Sequence, residues 1–350
     1  MPTRRDISEK ATSLDVARRA GVSQSAVSRV FTPGASASPA TAAKVRQAAA
    51  ELGYRPNVLA RAMVSGRSRI IGLVVAYLDN YFYPDALEKL SNALQAEGYH
   101  VLIFMAAQTA ENIDDVIEEI LDYQVDGIIA ASVALSSTLS DRCREAGVPI
   151  VFFNRTDGAR DVSAVASDNF AGGRIAGRFL VAAGHQRIGY IAGWEGASTQ
   201  KAREAGLRAA LAEAGMELAA HGVGNFRMDA AQDAARAMFA GANPPDAVFV
   251  GNDHMAFAVM DVLRGELRLD VPGDVSVIGF DDVPPAAWAA YDLTTLRQRA
   301  NRMVQETVAT LLAQIAAPGG PPRHVALDTP LVIRGSARIP NHWPPEETAP

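Results

Sequence analysis

From Ile70 onward, short apolar runs alternate with stretches whose apolar residues recur at helical spacing. Eight runs read as strands: "IIGLVVA", "HVLIFMA", "DGIIAAS", "PIVFFN", "AVASD", "RIGYIAG", "DAVFVGN" and "VSVIGFD". Most lack apolar–polar alternation, which indicates strands covered on both faces, as in parallel sheets. Segments such as "YPDALEKLSNALQAEGY" and "NFAGGRIAGRFLVAAGH" lie between them and supply crossover helices. The predicted class is therefore α/β. Eight strands fit two doubly wound lobes better than one. The alternation breaks near "FNRTDGARDVSAVASDN", where one lobe gives way to the other.

The first 55 residues follow a different pattern, with three short helices and no strand. Thr12 or Ser13 can cap the first helix, in which Val16, Ala17 and Ala20 share a face. Gly21 suits a tight turn. Ser23 can cap a second helix with Val27, Val30 and Phe31 on its apolar stripe. Ser38 and Pro39 open a third, Val45, Ala48, Ala49 and Leu52 repeat along it, and Gly53 stops it. Two helices meeting at a glycine turn make a helix-turn-helix. The outer face of the second helix presents Gln24, Ser25, Ser28 and Arg29, groups suited to base edges in a major groove.

Charge sharpens this division. Residues 1–69 hold twelve Lys/Arg against four Asp/Glu, a balance of +8, so the net charge of −6 leaves −14 on the remainder. A basic head on an acidic body suggests that the head meets a polyanion and the body does not. No apolar segment follows "MPTRRDISEK", so no signal peptide is expected, and no run is long enough to span a membrane. The single cysteine, Cys143, cannot form an internal disulfide or a metal cluster by itself, which fits a cytoplasmic protein.

"DVARRAGVSQSAVSRV", the third helix and "LGYRPNVLARAM" together resemble the DNA-binding head and hinge of the LacI/GalR family of bacterial transcription regulators. The resemblance implies base reading by Gln24, Ser25 and Arg29, and backbone contacts from Ser23, Ser28 and Thr32. It also implies a hinge helix that orders on DNA and contacts the minor groove through Asn57, Ala60 and Met63, with Met63 as the apolar wedge. Thr32 stands where asparagine is usual, Ser13 where an apolar residue is common, and Met63 where leucine is usual.

The body resembles the same family through "NRTD", "SDNFAGGRIAGRFLVAAGHQRIGYIAG", "GNDHMA", "VSVIGFDDVPPAAW" and "YDLTTLRQ". This implies two lobes like those of periplasmic sugar-binding proteins, with a ligand between them. The implied effector contacts are Phe82, Tyr83, Asn154, Asp168, Thr199, Arg203, Asn252 and Asp281. Strand-end Asn and Asp also serve as helix caps or close turns, so each has a purely structural alternative. The organisation expected is a head over 1–55, a hinge over 56–69, a two-lobe body over 70–338 and a loose Pro-rich, acidic tail over 339–350.

Enzymes share such folds, but the chain has no GxxxxGK[ST] loop, GxSxG elbow or HExxH pair. A transport-type sugar receptor would have a secretion signal and no basic head. The expected function is a repressor, without catalytic residues, metal or cofactor. Its partners are a near-palindromic duplex operator and a sugar or sugar-derived effector. A homodimer is expected, since the C-terminus offers no leucine heptads for a tetramer.

Overall fold

The computed structural model describes residues 11–32, 35–55, 67–106, 113–131, 133, 137–156 and 161–344. The chain divides into two units, residues 1–69 and 70–350.

Three helices form the first unit: α1 (Ser13–Ala20), α2 (Gln24–Phe31) and α3 (Pro39–Leu52). Thr12 is the cap of α1. Its hydroxyl accepts from the Asp15 N–H while the Asp15 carboxylate accepts from the Thr12 N–H, a reciprocal capping box. Gly21 adopts φ 67°, the left-handed conformation that lets α2 turn back across α1. Val16, Ala17, Val27, Val45, Ala48 and Ala49 pack as the core of this unit. The Arg19–Glu51 ion pair from α1 to α3 is solvent-exposed, so the apolar core, not the pair, fixes the arrangement.

The second unit holds two lobes. The first begins with β1 (Ile70–Val75), α4 (Phe82–Ala96), β2 (His100–Met105), α5 (Ile113–Asp122), β3 (Gly127–Ala131), α6 (Ser137–Glu145), β4 (Ile150–Phe153) and β5 (Ser163–Ser167). The chain then crosses to α7 (Asn169–Ala182), β6 (Ile188–Ala192), α8 (Ser198–Glu213), β7 (Ala220–Val223), α9 (Met228–Phe239), β8 (Ala247–Val250), α10 (Asp253–Asp261), β9 (Ser276–Asp281) and β10 (Thr294–Arg297). It returns to the first lobe for α11 (Ala300–Ala316) and β11 (His324–Leu327), and ends in the second with β12 (Leu331–Val332). The sheet orders are β11-β5-β4-β3-β1-β2 and β12-β10-β9-β8-β6-β7. Every pairing is parallel except β10 with β12.

All eight apolar runs form strands, and the two-lobe doubly wound fold is as expected. Central β1, β3, β4, β5, β6, β8 and β9 are buried throughout, as their composition requires. At the edge of the first sheet, β2 keeps Ile103 and Met105 about half exposed. The C-terminal segment departs from the loose tail expected of it. Trp343 packs edge-on against Phe179 of α7, with ring centroids 5.0 Å apart, because the indole finds apolar surface there. Residues 345–350 lie outside the described residues.

Helices α7 and α8 touch backbone to backbone. A Cβ on Gly173 would stand 2.0 Å from the Arg203 carbonyl oxygen, and one on Gly206 2.0 Å from that of Phe170. Gly173→Ala is expected to cost about 1–3 kcal/mol as overpacking, a melting temperature lower by roughly 2–12 °C. Gly241→Ala, where the added carbon meets nothing within 4 Å, is the control. Equal melting of both variants would contradict this.

Candidate functional site

Two surfaces carry functional chemistry, one on each unit. On α2, Ser23, Gln24, Ser25, Ser28 and Arg29 are all exposed, while Val27 on the opposite side is buried. Ser23 is the N-cap, so its hydroxyl accepts from the Ala26 N–H; it also lies 2.9 Å from the Ser25 hydroxyl. The Gln24 carboxamide donates to the Ser13 hydroxyl at 2.9 Å, so the serine at an ordinarily apolar position orients a base-reading candidate. Thr32 is half-buried and its hydroxyl donates back to the Ser28 carbonyl. The Arg29 side chain makes no hydrogen bond or ion pair among the described residues. Asn57, Ala60 and Met63, the hinge candidates, lie outside the described residues.

The second surface is the cleft between the lobes. Seven of the eight effector candidates line one small space there: Phe82, Tyr83 and Asn154 from the first lobe, and Thr199, Arg203, Asn252 and Asp281 from the second. All seven are buried. Asp168 is the exception: its carboxylate accepts from the Ala171 N–H and caps α7, the structural alternative for a strand-end aspartate.

The sequence reading missed Tyr77, Asn80, Arg155 and Phe226, which complete the lining. Tyr77 meets Tyr83 edge-on at 5.4 Å and stacks on Phe226 of the opposite lobe at 6.2 Å, so an aromatic pair bridges the cleft. Asn80 accepts from the Tyr83 N–H at the start of α4. Asn154 sits just after β4 with φ 59°, a conformation that asparagine tolerates better than most residues. Its Nδ2 donates to the Tyr83 hydroxyl at 3.3 Å, whereas its buried Oδ1 has no partner among the described residues. Asn252 spends its Oδ1 on capping α10 and keeps its amide N–H groups for the cleft.

Arg203 lies one turn after Thr199 on α8. Its Nε donates to Asn169 at 2.8 Å and its Nη1 to the Gly251 carbonyl. Its guanidinium stands 3.5 Å over the Phe280 ring, with Nη2 3.9 Å from the Asp281 carboxylate. Asp281, the last residue of β9, and Asp282 after it have consecutive positive-φ conformations (135° and 60°), local strain at the strand end where Asp281 lines the cleft.

Behind Asp281, the fully buried Asp253 accepts from the Thr295 hydroxyl and the Val283 N–H. Burial pushes Asp253 up to about 8, helped by the neighbouring Asp281 charge. Burial also raises Asp281 to about 6, against the pull of Arg203 and the hydrogen bond from Gln298. Both carboxyls hold their protons more tightly folded than unfolded. Their contribution to stability is fullest below the unfolded carboxylate range near ~4 and falls as pH rises through the two folded values. Asp253→Asn keeps an acceptor for Val283 and can donate to Thr295. Denaturant melts between pH ~5 and ~9 should therefore decline less steeply in this variant than in the wild type; an unchanged slope would contradict the assignment.

Among the described residues, no three or more His, Cys, Asp or Glu side chains are grouped to hold a metal ion, and no helix is long and apolar enough to cross a membrane.

Residues 12–57 match the family of bacterial regulatory proteins, lacI family, and residues 178–337 match the periplasmic binding protein-like domain. The chain is 30% identical to the ribose operon repressor of Escherichia coli K12 over 330 residues, which covers 93% of this chain and all of the relative. Among solved structures it is similar to the transcriptional regulator CelR in complex with cellobiose, with 32% identity, a TM-score of 0.71, and 93% and 99% of the two chains covered. It is also similar to the Lac repressor dimer bound to operator and the anti-inducer ONPF, with 27% identity, a TM-score of 0.84, and 94% and 99% coverage.

Proposed function

Because the chain belongs to the lacI family of bacterial regulatory proteins, we propose that it represses transcription from an operator whose affinity is set by a small molecule held between the two lobes. The observation that carries this reading is the union in one chain of an exposed α2 face bearing Arg29 and Gln24 with a buried cleft of mixed aromatic and hydrogen-bonding groups. The Phe82, Tyr83 and Phe226 rings suit the apolar face of a sugar. Asn154, Asn252, Arg203 and Asp281 supply donors and acceptors for its hydroxyls. The ribose and cellobiose in the names of its relatives support the same class.

Two copies would bind a near-palindromic operator, since twofold protein symmetry calls for twofold half-sites. The Lac repressor dimer supports that assembly, and the exposed Ile103 and Met105 on edge strand β2 offer apolar surface to a second copy. In this reading Ser23, Ser28 and Thr32 hold the DNA backbone. The hinge at 56–69 orders on DNA, with Asn57 and Ala60 in the minor groove and Met63 wedged between base pairs. The protein works in the cytoplasm, and the cleft binds without catalysis.

Fluorescence anisotropy of a labelled operator duplex, titrated with pentoses, hexoses and disaccharides including ribose and cellobiose, tests the reading. At least one sugar should weaken operator binding by about 5- to 150-fold, the usual range of allosteric coupling. A panel that neither binds the protein nor changes operator affinity would overturn the sugar assignment.

A further inference from the structure

The chain passes between the lobes at three places: after Ser167, after Arg297 and after Leu327. Two side chains on these crossovers reach back to the charged groups of the cleft. Asn169, on the first, accepts from Arg203 Nε at 2.8 Å and donates through Nδ2 to the Ser167 carbonyl at 2.9 Å. Gln298, on the second, accepts from the Ser167 hydroxyl at 2.8 Å and donates through Nε2 to Asp281 Oδ1 at 2.7 Å. The 3.9 Å approach of Arg203 to the same Asp281 oxygen closes a ring of five residues. All five are more than nine-tenths buried.

The polarity of the ring is determined by its charged members. Ionised Asp281 offers only acceptors, so Gln298 must turn its amide N–H group toward it and face the Ser167 hydroxyl with Oε1. Arg203 offers only donors, so Asn169 must face it with oxygen. The ring is further laced to the crossovers: the Gln298 N–H donates to the Asp281 carbonyl, the Asp168 N–H to the Leu327 carbonyl, and Arg299 grips Asp328 with two nitrogens. Its weakest member is the long Arg203–Asp281 approach, the edge that faces the cleft.

We propose that Gln298 and Asn169 are positioning residues that convey occupancy of the cleft to the lobe crossovers, through a closed hydrogen-bond ring joining Arg203 and Asp281 to Ser167. A ligand that takes over hydrogen bonds of Arg203 or Asp281 leaves a buried amide facing a changed partner. A buried donor without an acceptor is costly, so the crossover moves with the ligand. Neither Gln298 nor Asn169 lines the small space around Arg203, although Gln298 lines a wider cavity beside it with Phe82 and Asp281; hydrogen exchange without ligand separates positioning from ligand contact.

The sensing role rests on the cleft being the effector pocket. Hydrogen exchange on the full-length chain needs no ligand, so a failure of the ring shows even if no sugar binds. Gln298→Glu sets a carboxylate against Asp281 and should speed exchange of the Asp168 and Gln298 amides at least tenfold, with the amides of β1 and β8 unchanged. Asp281→Asn can still accept from Gln298 but leaves the buried Arg203 guanidinium without its counter-charge, so the double variant is compared with it as well as with the wild type. The double variant, Gln298→Glu with Asp281→Asn, restores a hydrogen bond of reversed direction and should return exchange to within about threefold of the wild type. A packing role would not be rescued in this way. Arg203→Lys removes the Nε donor on the far side of the ring, and its effect on the Gln298 amide should be non-additive with that of Gln298→Met. The Met variant also carries the test if the Glu variant does not fold. Unchanged exchange in the Gln298 variants, failure of the rescue in a folded double variant, or strict additivity of the two cuts would each overturn the proposal.

Discussion

Arg29→Ala is expected to lower affinity for the selected operator by roughly 5- to 150-fold, the equivalent of the ~1–3 kcal/mol that a bidentate arginine–guanine contact discriminates. Affinity for an unrelated duplex at the same salt should fall far less, because backbone attraction is shared among the other basic residues of the head. The expectation follows from local geometry. Arg29 projects from the exposed face of α2, opposite the buried Val27, and is not engaged by any acid among the described residues. By contrast, Arg19 is held by Glu51. Anisotropy on both duplexes is the check. Equal losses on the two would assign Arg29 to the DNA backbone and remove it from base reading.

Arg203→Ala should abolish the response to effector and destabilise the body. The guanidinium is 3% exposed, covers the Phe280 ring and approaches Asp281, so its removal leaves a buried carboxyl without its counter-charge. Breaking one side of a buried pair costs about 3–5 kcal/mol. At roughly 2–4 °C per kcal/mol for a domain of this size, melting should fall by about 6–20 °C. Asp281 already holds its proton more tightly than an ordinary carboxyl, so the loss should be smaller in acid, where it is neutral, and larger toward neutral pH. Operator binding without effector should persist, because the head has its own core. Normal operator release by a sugar that acts on the wild type would refute the assignment.

Much of this was legible in the sequence because the strongest signals are local. Fully apolar runs became central strands, and Ser23, Ser38, Gly21 and Gly53 punctuate the head where they were expected. Short strands were not legible: β7 reads "AHGV" and β12 has two residues, so neither carries a period to detect. The cap of α1 was open between Thr12 and Ser13, yet Asp15 three residues after Thr12 is the capping-box spacing that decides it. In the cleft, Tyr77 and Arg155 directly follow the apolar runs "IIGLVVA" and "PIVFFN" and carried the same strand-end signal as Asn154, whereas Asn80 and Phe226 lie in loops with no repeating pattern. Phe226 in particular reaches the cleft through positive φ at both Asn225 and itself, a backbone turn that its sequence does not advertise. Asp168 stands at a strand end like the others, but it is not among the residues lining the cleft, and its carboxylate caps α7.

The central claim, that two heads read a specific duplex, is tested most directly by selecting bound duplexes from a random library with the full-length protein at one stated salt concentration. The expected result is a near-palindromic consensus whose half-sites are one helical turn apart, with an easily kinked central step where Met63 would wedge. Recovery of duplexes without any shared sequence, bound in proportion to their length and lost as salt rises, with and without added sugars, would contradict it.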